Sequence, residues 1–168
     1  MPYQLFHDLF PEMPEEETRS VTVFGDRSET GLPPGQYAFC EMFCNERGCD
    51  CRRVFLYVVA SFRKGPEAVI AWGWESPEFY ANWMGDDDPQ MIAELMGPCL
   101  NLGSPQTELA RALLHFVRNV LLQDEAYVEG IKRHYRHFRT RIDGRSMASS
   151  RPRKRKKIRK GKKRKGKA

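Results

Sequence analysis

The chain has 168 residues, with 28 lysines and arginines against 22 aspartates and glutamates and a formal net charge of +6. The charge is unevenly spread: residues 151–168 hold 13 basic residues and no acid, while residues 1–150 hold 15 basic and 22 acidic ones, an acidic body of −7 carrying an arm of +13. A body of this size encloses one ordinary core, and no apolar run approaches the roughly 20 residues that span a bilayer, so two large domains and a transmembrane protein are excluded.

The start, Met1 to Asp8, lacks a basic region followed by an apolar stretch, so no secretion signal is expected. Residues 5–10 mix Leu5, Phe6, Leu9 and Phe10 into a brief helical turn, and Pro11, Pro14 and the acids Glu15 to Glu17 make a solvated loop. Val21 to Phe24 reads as a short strand and 25–35 as a loop. From Gln36 to Cys44 the residues alternate, Tyr37, Phe39 and Phe43 on one side and Ala38, Cys40, Met42 and Cys44 on the other, the pattern of a half-buried strand. Arg53 to Phe62 is a continuous run rich in β-branched and aromatic residues, which predicts a central strand; Gly65-Pro66 turns the chain, and Ala68 to Trp74 supplies a further strand of an antiparallel meander. The period then changes. Ser76-Pro77, Asp88-Pro89 and Ser104-Pro105 each place a capping residue before a proline at the first helical position and predict three helix starts. The third helix continues through Leu109, Leu113, Phe116, Val117 and Val120 to about Gln123. Asp124 caps a fourth, in which Tyr127, Ile131, His134, Tyr135 and Phe138 share one face.

Five cysteines occur, and four of them, Cys40, Cys44, Cys49 and Cys51, fall within twelve residues as C-x3-C-x4-C-x-C. Such a cluster without a secretion signal favours a metal over a disulfide scaffold and places the chain in a reducing, intracellular compartment. Cys40 and Cys44 face one side of a strand, and Cys49 and Cys51 face one side of the returning strand. The polar Asn45 to Gly48 turn brings both pairs to one zinc ion across a hairpin knuckle. With four protein ligands the site is closed and structural, and changing any one of the four to Ser is expected to lower bound zinc and melt the first half of the body. Arg47, Arg52 and Arg53 lie beside the ligands and can offset the thiolate charge. An iron–sulfur cluster is the alternative cofactor, but the spacing matches neither of its common patterns; Cys49-Asp50-Cys51 is likewise not the C-x-x-C of a redox pair. Cys99 reads as a packed or loop thiol without a partner. The Cys49-Asp50-Cys51 element resembles the cysteine motif of bacterial SEC-C metal-binding segments, without their closing Cys-Cys or His-Cys pair; nothing further is carried over from that resemblance.

The arm is a polycation with no pattern that reads bases: Arg151, Arg153, Lys154, Arg155, Lys156, Lys157, Arg159, Lys160, Lys162, Lys163, Arg164, Lys165 and Lys167. With Ile158 as its one sizeable apolar residue it cannot offset its ordering entropy and is expected to be disordered when free. If ten of its charges met duplex phosphates, counterion release would give a log–log salt slope of about −9. Lys132, Arg133, Arg136, Arg139 and Arg141 on the fourth helix extend the basic stripe toward the arm, with Tyr135 and His137 between them.

Nothing identifies a reaction. His7, His115, His134 and His137 are not paired in sequence with a nucleophile, Asp86 to Asp88 is explained by capping and solvation, and no phosphate-loop, dinucleotide or hydrolase motif occurs. Trp72, Trp74, Phe79, Tyr80 and Trp83 cluster at a strand-to-helix junction, where core packing is favoured over base stacking. The sequence thus predicts an α+β protein. A single zinc-binding domain over 1–144 has a small antiparallel sheet with a four-cysteine zinc knuckle and three to four helices packed on it, followed by a disordered basic tail over 145–168. The expected function is non-enzymatic binding of nucleic acid or a ribonucleoprotein through the arm. The alternative is a protein–protein adaptor with a structural zinc site, ahead of an enzyme using the acidic loop or the histidines. The expected location is cytoplasmic, or nuclear in a eukaryote, where the arm would also serve as an import signal.

Overall fold

A computed structural model describes residues 3–13, 17–25 and 30–144. Its elements are β1 (Tyr3–Leu5), α1 (Phe6–Leu9), β2 (Arg19–Val23), β3 (Gly35–Cys44), β4 (Arg53–Ala60), β5 (Pro66–Gly73), α2 (Pro77–Met84), α3 (Pro89–Met96), β6 (Cys99–Leu100), α4 (Ala110–Asn119), a 3-10 turn at Leu121–Gln123, and α5 (Glu125–Asp143). The six strands form one antiparallel sheet in the order β1-β3-β4-β5-β6, and β2 shares the outer edge of β3 with β1. The meander of β3, β4 and β5 is the one the alternation and the apolar run predict. Two short strands were not expected: Tyr3 pairs opposite Cys44, and Cys99 opposite Ala71.

The pleat sends Val54, Leu56, Val58, Ala68 and Ile70 to one face, and α4 and α5 pack there through Leu113, Val117, Ile131 and Phe138 to form the main core. Each of these side chains larger than Ala68 contributes about 1.5–3 kcal/mol by leaving water. The opposite face holds a smaller cluster of Phe55, Val69 and Ala71, edged by Tyr3, Met42, Tyr57 and Cys99. The shorter helices α2 and α3 stand at the β5 end of the sheet. Gly73 matters there: a Cβ on it would overlap the Tyr80 hydroxyl and the Leu95 carbonyl.

Four helices follow β5, with β6 between α3 and α4, and α1 lies between β1 and β2. Ser76 caps α2 by accepting from the Phe79 amide, Asp88 caps α3 by accepting from Gln90 and Met91, and Asp124 caps α5 by accepting from Tyr127. The Ser104-Pro105-Gln106 start is corrected, because α4 begins only at Ala110. Residues 106 and 107 are instead held against β5. The Val69 amide donates to Gln106 Oε1 at 3.3 Å, and the Thr107 amide donates to the Glu67 carbonyl at 2.9 Å. The arm, including every cation from Arg151 to Lys167, lies outside the described residues.

Candidate metal centre and basic helix face

The chain leaves β3 at Cys44 and re-enters the sheet at Arg53, so the connection 45–52 carries Cys49 and Cys51 beside the last residue of β3. The Sγ atoms of Cys44, Cys49 and Cys51 lie within 4.8 Å of one another. A tetrahedral ion with bonds of about 2.3 Å places its sulfurs roughly 3.8 Å apart, so side-chain adjustments on the order of 1 Å close the trio on a metal. Among the described residues no fourth His, Cys, Asp or Glu joins the group.

Cys40 is not part of it. Cys40 and Cys44 do share a face, but four residues of strand separate them by roughly 13 Å, several times the spacing that one ion allows. Cys40 lies half-buried in mid-strand opposite Tyr57. Cys49 and Cys51 are in the loop and not on the returning strand, so two same-face pairs across a hairpin do not describe this site. Cys99 is half-buried against the smaller cluster.

The loop is held from three sides. Arg139 donates from Nη1 to the Cys44 carbonyl at 2.8 Å and from Nη2 to the Glu46 carbonyl at 2.9 Å and to Asp143 at 2.6 Å. Asp143 in turn accepts from the Gly48 amide at 2.8 Å. Arg52 has φ 47, a left-handed conformation that costs a non-glycine residue about 1 kcal/mol. Its amide donates to the Tyr135 hydroxyl at 3.3 Å, its carbonyl accepts from the Tyr80 hydroxyl at 2.9 Å, and its guanidinium pairs with Asp50 and Glu75 at 3.0 Å each. These bonds fix the residue beside Cys51 in a conformation it would not adopt alone.

Burial pushes the thiols of Cys44, Cys49 and Cys51 above the ordinary value, and at each of them the charge of a neighbouring sulfur adds to the shift. A divalent cation would reverse that preference, because it stabilises the thiolates that burial disfavours. Arg53 donates to the Leu95 carbonyl at 2.8 Å and lowers the Cys51 thiol against its burial; Arg139 does the same for Cys44. Arg47 is exposed.

The five cations of α5 differ in availability. Arg139, expected on the nucleic-acid stripe, is 9% exposed and committed to the cysteine loop. Lys132 pairs with Glu129, Arg133 with Glu17, and Arg141 reaches Glu12 at 3.8 Å while its guanidinium lies over the Phe10 ring. Arg136 is exposed, with no carboxylate at ion-pair distance among the described residues.

A second polar cluster escaped the sequence reading. Glu41 occupies an inward position of β3, between Phe39 and Phe43, and is buried. Its carboxylate meets His134 Nδ1 at 2.9 Å, while His134 Nε2 meets Glu17 at 3.1 Å. With both carboxylates ionised, the imidazole donates from both nitrogens and is an imidazolium. Burial alone would lower its pKa, but the bonds and charges of Glu41 and Glu17 outweigh burial and hold it above the ordinary histidine value. The signal available in the sequence was a carboxylate at a core-facing position of a strand, which demands a buried partner. Among the other histidines, His7 bonds Thr18 and His115 is exposed on α4. Asp88 is spent as a cap, and Asp86 accepts from the Asp88 amide.

No family model matches the chain, and neither curated proteins nor solved structures show a match to it.

Proposed function

We propose that this is a non-enzymatic zinc protein that binds nucleic acid or a ribonucleoprotein through its basic arm. The observation that carries the proposal is the concentration of 13 cations and no acid in residues 151–168, next to a body with an excess of acids. Such an arm grips polyphosphate by releasing counterions, and the acidic body is turned away from the same phosphates. Lys132, Arg133, Arg136 and Arg141 lie on α5, the last described element before the arm, and support a continuous basic stripe. Deleting residues 146–168 should abolish salt-sensitive binding to a labelled oligonucleotide; undiminished retention by the remaining body would contradict the assignment.

Zinc is the metal favoured for Cys44, Cys49 and Cys51. The cysteine spacing matches neither common iron–sulfur pattern, whereas zinc accepts three thiolates with water or another donor in the fourth position. Three thiolates leave the centre at a net charge of about −1, which the guanidinium groups of Arg139 and Arg53 offset. Three protein donors do not close the site as four would, so its structural role rests instead on the loop that α5 clamps; metal binding of this kind contributes on the order of 10 kcal/mol to folding.

The adaptor alternative draws on a different observation. A mostly apolar cleft of about 560 Å³ opens between α3, β6 and α4, and Met91 and Leu102 on its rim are exposed. A protein partner there would protect Met91 from oxidation in the complex, and unchanged Met91 reactivity would dismiss that reading.

A further inference from the structure

A smaller cleft of about 460 Å³ lies between the end of β5 and the exposed side of α5, lined by Arg52, Trp74, Glu75, Lys132, Tyr135 and Arg136. We infer that this cleft is a stacking subsite that gives the protein a preference for single-stranded over duplex nucleic acid. The inference rests on the nucleic-acid reading above and adds the form of the ligand to it.

Trp74 is half-buried, and its indole is braced edge to face by Tyr135, with ring centres 5.1 Å apart, so the ring is held in place before any ligand arrives. Tyr135 is itself fixed by the Arg52 amide. Three cations and one carboxylate line the cleft, and that carboxylate, Glu75, is already paired with Arg52 at 3.0 Å. The unspent positive charge therefore sits on the α5 wall. Lys132 and Arg136 are four residues apart on that helix, about 5–6 Å between Cβ atoms, one above the other on the same face. Arg136 has no carboxylate at ion-pair distance among the described residues, and Lys132 pairs with the exposed Glu129, whose charge also reaches Arg136.

An aromatic platform flanked by cations is the arrangement that takes a base on its face and the attached phosphates at its side. A paired base inside a duplex cannot offer that face without unstacking, so the cleft discriminates between strands in a way the arm cannot. From Arg136 to Gly144 the helix rises roughly 12 Å, which puts the cleft within one or two nucleotides of the root of the arm. That distance brings the Trp74 wall within reach of a strand gripped by the arm. Because any base presents a π face, the subsite tolerates sequence.

The test uses the full chain with labelled homopolymeric RNA and DNA oligonucleotides and the matching duplexes. Single strands should quench tryptophan emission, and W74F should abolish most of that quenching while Trp72 and Trp83 remain. R136E, which touches no core contact, should weaken single-strand binding on the order of tenfold and duplex binding less. Comparing RNA with DNA identifies which source of the shared base and phosphate chemistry is preferred. Equal affinity for single strands and duplexes, with no change in emission, would overturn the stacking subsite and leave the arm's role standing. Failure of the full chain to bind either form at low salt would overturn both.

Discussion

Arg139 of α5 donates to the carbonyl of Cys44 at 2.8 Å, tying the helix that leads into the arm to the first thiol of the metal centre. The same guanidinium reaches the Glu46 carbonyl and Asp143, so one buried cation closes the loop between two cysteines against the last turn of the helix. Its charge belongs to the metal loop and not to the basic stripe.

Replacing Arg139 with Ala takes a donor from the Cys44 and Glu46 carbonyls and leaves Asp143 with the Gly48 amide alone. The expected cost is about 2–4 kcal/mol of unfolding free energy. Zinc affinity should fall on the order of tenfold in a chelator competition, because the loop that presents Cys49 and Cys51 loses its anchor. R139K should rescue little, since a single ammonium cannot span three acceptors.

Asp88 accepts from the amides of Gln90 and Met91 at 2.8 and 3.0 Å. D88A should therefore cost about 1 kcal/mol of stability in chemical denaturation. Metal content should be unchanged; a loss of metal would show that the acidic loop holds an ion.

His134 makes stability depend on pH. Its native pKa is raised above the unfolded value, so folding binds its proton more tightly. The stabilisation is complete below about pH 6.5 and is lost as the pH rises through the raised native value. The groups facing the imidazole are Glu41, Glu17 and the Arg133 guanidinium paired with Glu17. Unfolding free energies of the natural chain and H134Q, measured from pH 6 to 9, should converge with rising pH. A gap that widens would contradict the imidazolium assignment.

Substituting Gly73 with Ala should be among the most damaging single changes. A Cβ there meets the Tyr80 hydroxyl and the Leu95 carbonyl, and displacing Tyr80 also removes its bond to Arg52. A melting temperature within a degree or two of the natural chain would show that α2 yields without cost.

The sequence made the local pattern legible and the long-range pairings much less so. Alternation along β3, the apolar runs of β4 and β5, and the capping residues Ser76, Asp88 and Asp124 are local signals, and each element forms close to where they place it. The edge strands β1 and β6 are three and two residues long, too short for a period, and exist because Tyr3 and Cys99 find partners far along the chain. For Cys40 the two-residue period told the face and not the distance; the rise per residue separates it from Cys44. The partnership of Glu41 with His134 joins residues 93 apart, and that of Arg139 with Cys44 joins residues 95 apart. Neither leaves a local trace, except that a charge on a buried face requires an answer from somewhere.

Metal content of the full chain and of C40S, C44S, C49S and C51S, purified without chelator and repeated with cobalt to read the thiolate absorption, tests the three-thiol centre most directly. One metal per chain is expected in the natural protein and in C40S, with loss of metal and of the cobalt–thiolate band in the other three. Loss in C40S equal to the others, or a metal-free natural chain, would contradict the three-thiol centre.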